Sequence, residues 1–167
     1  MESNARGILL DRALGELRYT SQAEAGFPMP IENIYEQLRR DEGVRKFPYR
    51  DTVGKLTIGV GRNLNGKGLT DEEIDHLLEN DIREITLEAN GKLPWFPALD
   101  GVRQGVILNL IFNMGFAGLE KFPRFLQAVA QGQWETAADE MRDSEWARQV
   151  GDRAVRLEEQ MRTGAWV

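Results

Sequence analysis

The sequence predicts a mostly helical α+β fold with one small sheet in its N-terminal third. Three observations carry that prediction. Apolar residues recur at helical spacing in several separate segments, most clearly after residue 70. Strand-like alternation is confined to one stretch, residues 47–60. Gly59, Gly61, Gly66 and Gly68 then crowd the chain at the end of that stretch and just beyond it, which limits the sheet to a small patch.

Each element follows from local chemistry. Residues 1–30 read as an extension. Asn4 can cap a helix reaching about residue 18, with Leu10, Leu14 and Leu17 on one face, and Pro28 and Pro30 close the polar linker that follows. A packing role is expected for that helix, because Glu2, Asp11, Glu16 and Glu24 outweigh its three arginines as a membrane-active helix would not allow. The domain proper is expected over 31–167. Its first helix spans about 31–40, with Ile34, Tyr35 and Leu38 on one side, and Gly43 as terminator leaves Glu42 at the helix end. Asp51-Thr52-Val53-Gly54 is a turn candidate, and Leu56-Thr57-Ile58 is a short β run.

Thr70 and Glu73 form a capping box that opens a helix running to about residue 88, with Ile74, Leu77, Leu78, Ile82 and Ile85 apolar; Asn90-Gly91 is its expected end. Residues 102–114 are apolar nearly all round, as in a helix buried on every side, so Asn109 inside it must find hydrogen-bond partners. Residues 115–118 read as a loop. Further helices are expected at about 122–131, 134–142, 144–149 and 152–162.

The bulk properties exclude several functions. At 167 residues the chain is one domain, or one domain with two lobes. It has no cysteine, hence no disulfide framework and no thiol nucleophile or metal ligand. A net charge of -6 argues against a nucleic-acid footprint and against spontaneous binding to anionic lipids. Arg148, Arg153, Arg156 and Arg162 recur near the C-terminus, but with Glu158 and Glu159 among them they read as a solvated helix face. No stretch is apolar for long enough to span a membrane, and the N-terminus does not read as a secretory signal, so release from a cytoplasm would need another agent.

Two carboxylates and a hydroxyl, Glu42, Asp51 and Thr57, fall within sixteen positions around the helix end and the turn. Glycoside hydrolysis needs two carboxylates flanking one bond, one donating a proton to the leaving oxygen and the other activating water or attacking the sugar. A nearby hydroxyl can hold that water. Spacing alone equally allows a surface Glu, a turn Asp and a Thr chosen for β propensity.

The wider pattern decides between these readings. Asp41-Glu42-Gly43, Tyr49-x-Asp51-Thr52-x-Gly54 and Leu56-Thr57-Ile58-Gly59-Val60-Gly61 occur in that order. Later come Asn113-Met114-Gly115, Phe122, Trp134, Ala137-Ala138, Trp146, Asp152-Arg153-Ala154 and Arg162-Thr163-Gly164-x-Trp166. Over about residues 31–167 the sequence resembles the phage-type lysozymes, the muramidase endolysins of tailed bacteriophages. The resemblance implies a two-lobe fold, with a β hairpin lobe, a long connecting helix and a helical lobe around a cleft for a peptidoglycan glycan strand. It implies cleavage of the β-1,4 bond from N-acetylmuramic acid to N-acetylglucosamine, with no metal or organic cofactor.

By position, Glu42 would be the general acid, which must hold its proton at the working pH. Asp51 would be the second carboxylate and Thr57 would help position the water. Gly61, Asn63, Phe112 and Asn113 are substrate-contact candidates, with core burial an equal alternative for Phe112. Arg153 would support the site by pairing mainly with Asp41. Phe125 and Glu140 stand where longer relatives use small polar groups, which puts those subsites in question. His76, the single histidine, falls on the polar side of its helix.

The expected protein is a monomeric endolysin that accumulates in the host cytoplasm and reaches periplasmic peptidoglycan through a holin-like pore. Rival readings are a bacteriocin or secreted effector muramidase, with residues 1–30 for delivery, and a lysozyme-fold module that only binds cell wall. The intact Glu42, Asp51 and Thr57 weigh against a pure binder.

Overall fold

The structure is a computed structural model that describes residues 32–167; the expected helix and linker within 1–30 lie outside the described residues. The chain divides into two compact units, with the boundary between Asn65 and Gly66.

Among its described residues the first unit holds one helix and a three-stranded antiparallel sheet. Helix α1 is Glu32–Glu42, and strands β1 (Arg45–Arg50), β2 (Leu56–Gly59) and β3 (Arg62–Asn63) lie in the order β1-β2-β3. Helix α1 stops at Glu42 because Gly43 takes φ +73°, a left-handed turn that a side chain disfavours. Strand β1 begins two residues earlier than the alternation suggested. Its register with β2 passes from Arg45↔Gly59 to Tyr49↔Thr57, so residues 46–48 bulge opposite Ile58 alone. Pro48 lies in that bulge, where its missing N–H costs no ladder bond. Strand β3 was not expected, since two residues are too short to show a period. It pairs Thr57↔Asn63 and Ile58↔Arg62.

The second unit is helical. Helix α2 (Asp71–Lys92) opens on the expected capping box: the Glu73 N–H donates to Thr70 Oγ1 at 3.3 Å and the Thr70 N–H to Glu73 Oε2 at 2.8 Å. It passes through Asn90-Gly91 and ends at Lys92. The stop is set by Pro94, which disfavours a helical Leu93, and Leu93 is extended. Lys92 pairs with Glu88 at 2.7 Å and lies 4.2 Å over the Phe116 ring, so its contacts favour one more turn.

A short 3₁₀ turn, Phe96–Ala98, leads to α3 (Gly101–Met114), then α4 (Phe116–Leu119) where a loop was expected, α5 (Pro123–Ala130), α6 (Trp134–Arg142), α7 (Glu145–Val150) and α8 (Asp152–Thr163). Helix α3 is the centre of the core. Its Val106, Ile107, Leu110 and Ile111 are buried among a cluster that includes Phe96, Leu119, Phe125, Met141 and Met161. The Asp100 carboxylate caps α3 by accepting from the Arg103 N–H at 3.0 Å and holds the Arg103 guanidinium at 2.7 Å. Arg103 in turn donates to the Met161 and Arg162 carbonyls at 2.8 and 3.0 Å, satisfying the end of α8.

Candidate functional site

The sheet unit places Glu42, Asp51 and Thr57 through backbone geometry. Glu42 is the last residue of α1, and its carboxylate lies against Gly61 in the β2–β3 turn: a Cβ at Gly61 would stand 3.4 Å from Glu42 Oε2. Gly61 itself has φ +69°, so this close, left-handed backbone position suits glycine. Gly61 is thereby the floor under the Glu42 carboxylate.

Asp51 follows β1 and organises its turn. Its Oδ1 accepts from the Val53 N–H at 3.0 Å and the Lys55 N–H at 2.8 Å, while its carbonyl accepts from the Gly54 N–H at 3.0 Å. The Arg50 guanidinium donates to the Gly54 carbonyl at 2.8 Å and braces the same turn. Thr57 is buried at 3% exposure on the central strand β2, and its hydroxyl donates to the Lys55 carbonyl at 3.1 Å. That carbonyl also accepts the Asp51 N–H at 2.9 Å. One residue, Lys55, therefore ties Asp51 and Thr57 together through its two backbone groups. Asn63 is the β3 partner of Thr57, so it belongs to the same strand-pair layer.

The other predicted residues lie in the helical unit. Phe112 on α3 is 50% exposed, which settles its alternative against full burial. It lines a hollow of about 540 Å³ with Ile82, Leu108, Asn109, Arg153 and Trp166. Asn113 is exposed, and its Oδ1 accepts the Trp146 indole N–H at 2.8 Å. A larger hollow, about 760 Å³, is lined by Met114, Phe122, Phe125, Glu140, Asp143 and Trp146. Phe125 is a core residue at 1% exposure that forms part of its wall, and Glu140 lies 3.9 Å from Arg124. His76 is exposed on α2.

Arg153 grips Asn109: its Nε and Nη2 donate to Asn109 Oδ1 at 2.9 and 2.6 Å. This is the partner that a polar residue within an apolar helix required. Asp41 pairs with its neighbour Arg40 at 3.1 Å.

The resolved electrostatic shifts belong to the scaffold. Burial pushes the Asp100 carboxyl up, but hydrogen bonds from the Arg103 backbone and guanidinium outweigh it and hold the group below its ordinary 3.8. Asp139, and after it Asp143, push the Arg142 guanidinium further toward its charged form. Among the described residues no group of three His, Asp or Glu side chains is placed to hold a metal ion. Likewise, no helix among them is long and apolar enough to cross a membrane.

Residues 39–162 match the phage lysozyme family. The chain belongs to that family of glycoside hydrolases. It is 33% identical to the pre-baseplate central spike protein Gp5 of Enterobacteria phage T4, over 77% of this chain and 27% of the spike protein. It is 29% identical to "Probable T4-type lysozyme 1" of Dictyostelium discoideum, over 80% of this chain and 96% of that protein. A SAR-endolysin of Bacteriophage PS119 is 30% identical over 60% of this chain and 61% of its own length. The chain thus spans about a quarter of the spike protein and nearly all of the Dictyostelium lysozyme.

Sequence reasoning missed Lys55. Its contribution is purely backbone, so no side-chain pattern marks it. It also missed the Arg153–Asn109 grip, although an Asn set in an apolar helix was the signal that some such partner existed.

Proposed function

We propose that this lysozyme hydrolyses the β-1,4 bond between N-acetylmuramic acid and N-acetylglucosamine in bacterial peptidoglycan, with Glu42 as general acid. The observation that carries the reading is the shared frame: Glu42 rests on the Gly61 backbone of the sheet, while Asp51 and Thr57 are fastened to one residue, Lys55, on the same sheet. A frame built from backbone bonds holds catalytic groups in place without induced rearrangement.

In the proposed reaction the Glu42 proton passes to the glycosidic oxygen as the C1–O bond of the muramic acid residue breaks. Water adds to C1 and gives up its proton to Asp51. Both hydrogen bonds to the Asp51 carboxylate fall on Oδ1, which leaves Oδ2 as the oxygen to take that proton. Thr57 helps position the water. A water between carboxylate and sugar means inversion at C1. Gly61, Asn63, Phe112 and Asn113 are the proposed substrate contacts, and Asp41 and Arg153 are the proposed structural support. The reaction as written draws on no metal or cofactor.

The biological role that fits best is a monomeric endolysin, made in the host cytoplasm and released to the wall through a holin-like pore. A second reading draws on the likeness to a central spike protein. There the enzyme is delivered to a target cell, as a bacteriocin or secreted effector would be, with residues 1–30 as the delivery element. Deleting those residues and assaying delivery separately from hydrolysis distinguishes the two.

The reaction is tested by digesting purified Gram-negative cell walls and identifying the new reducing ends. N-acetylmuramic acid ends from the wild type, absent with Glu42→Gln, are the expected result. N-acetylglucosamine ends, or full hydrolysis by Glu42→Gln, would overturn it.

A further inference from the structure

The overall charge of -6 conceals a division. Residues 32–65 carry seven Lys or Arg against five Asp or Glu, whereas residues 66–167 carry eleven against eighteen. The positive charge gathers on the β1–β2 hairpin, where Arg45, Lys46, Arg50 and Lys55 face a single acid, Asp51.

That same hairpin carries large apolar groups in water. The bulge in β1 turns Phe47 out to 80% exposure, and Val53 at the turn is 74% exposed, with Val44 also exposed. A bulge re-aims side chains, and here it re-aims an aromatic ring between Arg45-Lys46 and Arg50. Two of the cations are held in place: Arg45 stacks 4.6 Å over the Tyr49 ring and Arg50 is fixed to the Gly54 carbonyl.

We infer that the β1–β2 hairpin is an interfacial anchor for an anionic phospholipid bilayer, with Phe47 entering the headgroup layer and Arg45, Lys46, Arg50 and Lys55 meeting lipid phosphates. The argument is charge and polarity together. Cations alone would serve any polyanion, including an acidic wall polymer. An exposed aromatic ring can stack on a sugar face or leave water at the acyl boundary, but the exposed aliphatic Val44 and Val53 beside it favour the boundary. The helical unit, with its acidic excess, offers the same bilayer no matching charge. Such an anchor lies on the surface of the bilayer, without spanning it, and would keep the enzyme where membrane and wall meet.

The test is co-sedimentation of the full chain with vesicles of phosphatidylglycerol and phosphatidylcholine in equal parts, against pure phosphatidylcholine. The inference predicts binding to the anionic vesicles alone, weakened by salt. Phe47→Ser should reduce it about tenfold, and Lys46→Glu by a roughly similar factor. Both positions are exposed, and unchanged thermal unfolding of each variant verifies its fold. Three results overturn the inference: no binding by the wild type, equal binding by Phe47→Ser, or a Phe47→Ser variant that loses adsorption to isolated cell walls while keeping its grip on vesicles. The last would give the surface to a wall polymer. None of these readouts uses hydrolysis, so the anchor and the proposed reaction stand or fall separately.

Discussion

The sheet unit and the helical unit are held together by different means. Every buried hydrophobic residue among the described residues lies between Ala89 and Met161, whereas the described part of the sheet unit buries only Thr57. The sheet unit is shaped by glycine turns, a bulge and the clasp at Lys55. The helical unit is shaped by close packing around α3. The proposed catalytic residues, Glu42, Asp51 and Thr57, lie where the described residues form the least core. Stability and chemistry should therefore respond to different substitutions.

The largest expected stability effect is in the helical core. Phe125→Ala removes a ring that is 1% exposed and should cost about 3–5 kcal/mol in denaturant unfolding. Hydrolysis per folded molecule should fall far less than stability does. A Phe125→Ala protein of normal stability would break the contrast.

Next comes the turn. Asp51→Asn keeps an oxygen able to accept from Val53 and Lys55, so the hairpin should persist while hydrolysis drops at least about a hundredfold, or roughly 2.7 kcal/mol in barrier. Asp51→Ala loses both hydrogen bonds and should also alter the hairpin amides in an NMR spectrum. Equal activity of Asp51→Asn and wild type would leave the carboxylate with a purely structural role.

A smaller effect separates support from scaffold. Asn109→Ala removes the side-chain oxygen that accepts from Arg153 Nε and Nη2, leaving only the 3.5 Å contact of Nη2 with the residue 109 carbonyl, and should cost about 1.5–3 kcal/mol. Arg153→Ala should cost a similar amount if that grip is its whole role. A loss of hydrolysis with Arg153→Ala but not with Asn109→Ala would show that Arg153 also supports the site, as proposed.

The smallest effect is a pH dependence. Asp100 titrates below 3.8 when folded, so its stabilising charge is fully present above that value and is lost as pH falls through the folded value. Asp100→Asn keeps the cap of α3 but not the charge on Arg103. It should lower stability by less than about 1 kcal/mol at pH 7, since the carboxylate is partly exposed. The difference from wild type should vanish in acid, once the pH has fallen through the folded value.

These contrasts also explain what the sequence revealed. Glu42 at a helix end before Gly43, and the Thr70–Glu73 capping box, are local rules and were readable as such. Asn109 announced a missing partner but could not name Arg153, forty-four positions away. The Lys55 clasp was invisible because backbone groups carry no signature. The end of α2 was misplaced because a glycine inside a helix is weaker than the proline beyond it. Strand β3 and helix α4, at two and four residues, are too short to show a period and exist through their neighbours.

The central claim is that chemistry lies on the sheet frame and stability in the helical core. It is tested most directly by measuring cell-wall hydrolysis and thermal unfolding on the same preparation of Glu42→Gln. The account predicts hydrolysis reduced by at least about a hundredfold, with a midpoint within about 2 °C of wild type. Retained hydrolysis, or a midpoint that falls along with the activity, would contradict it.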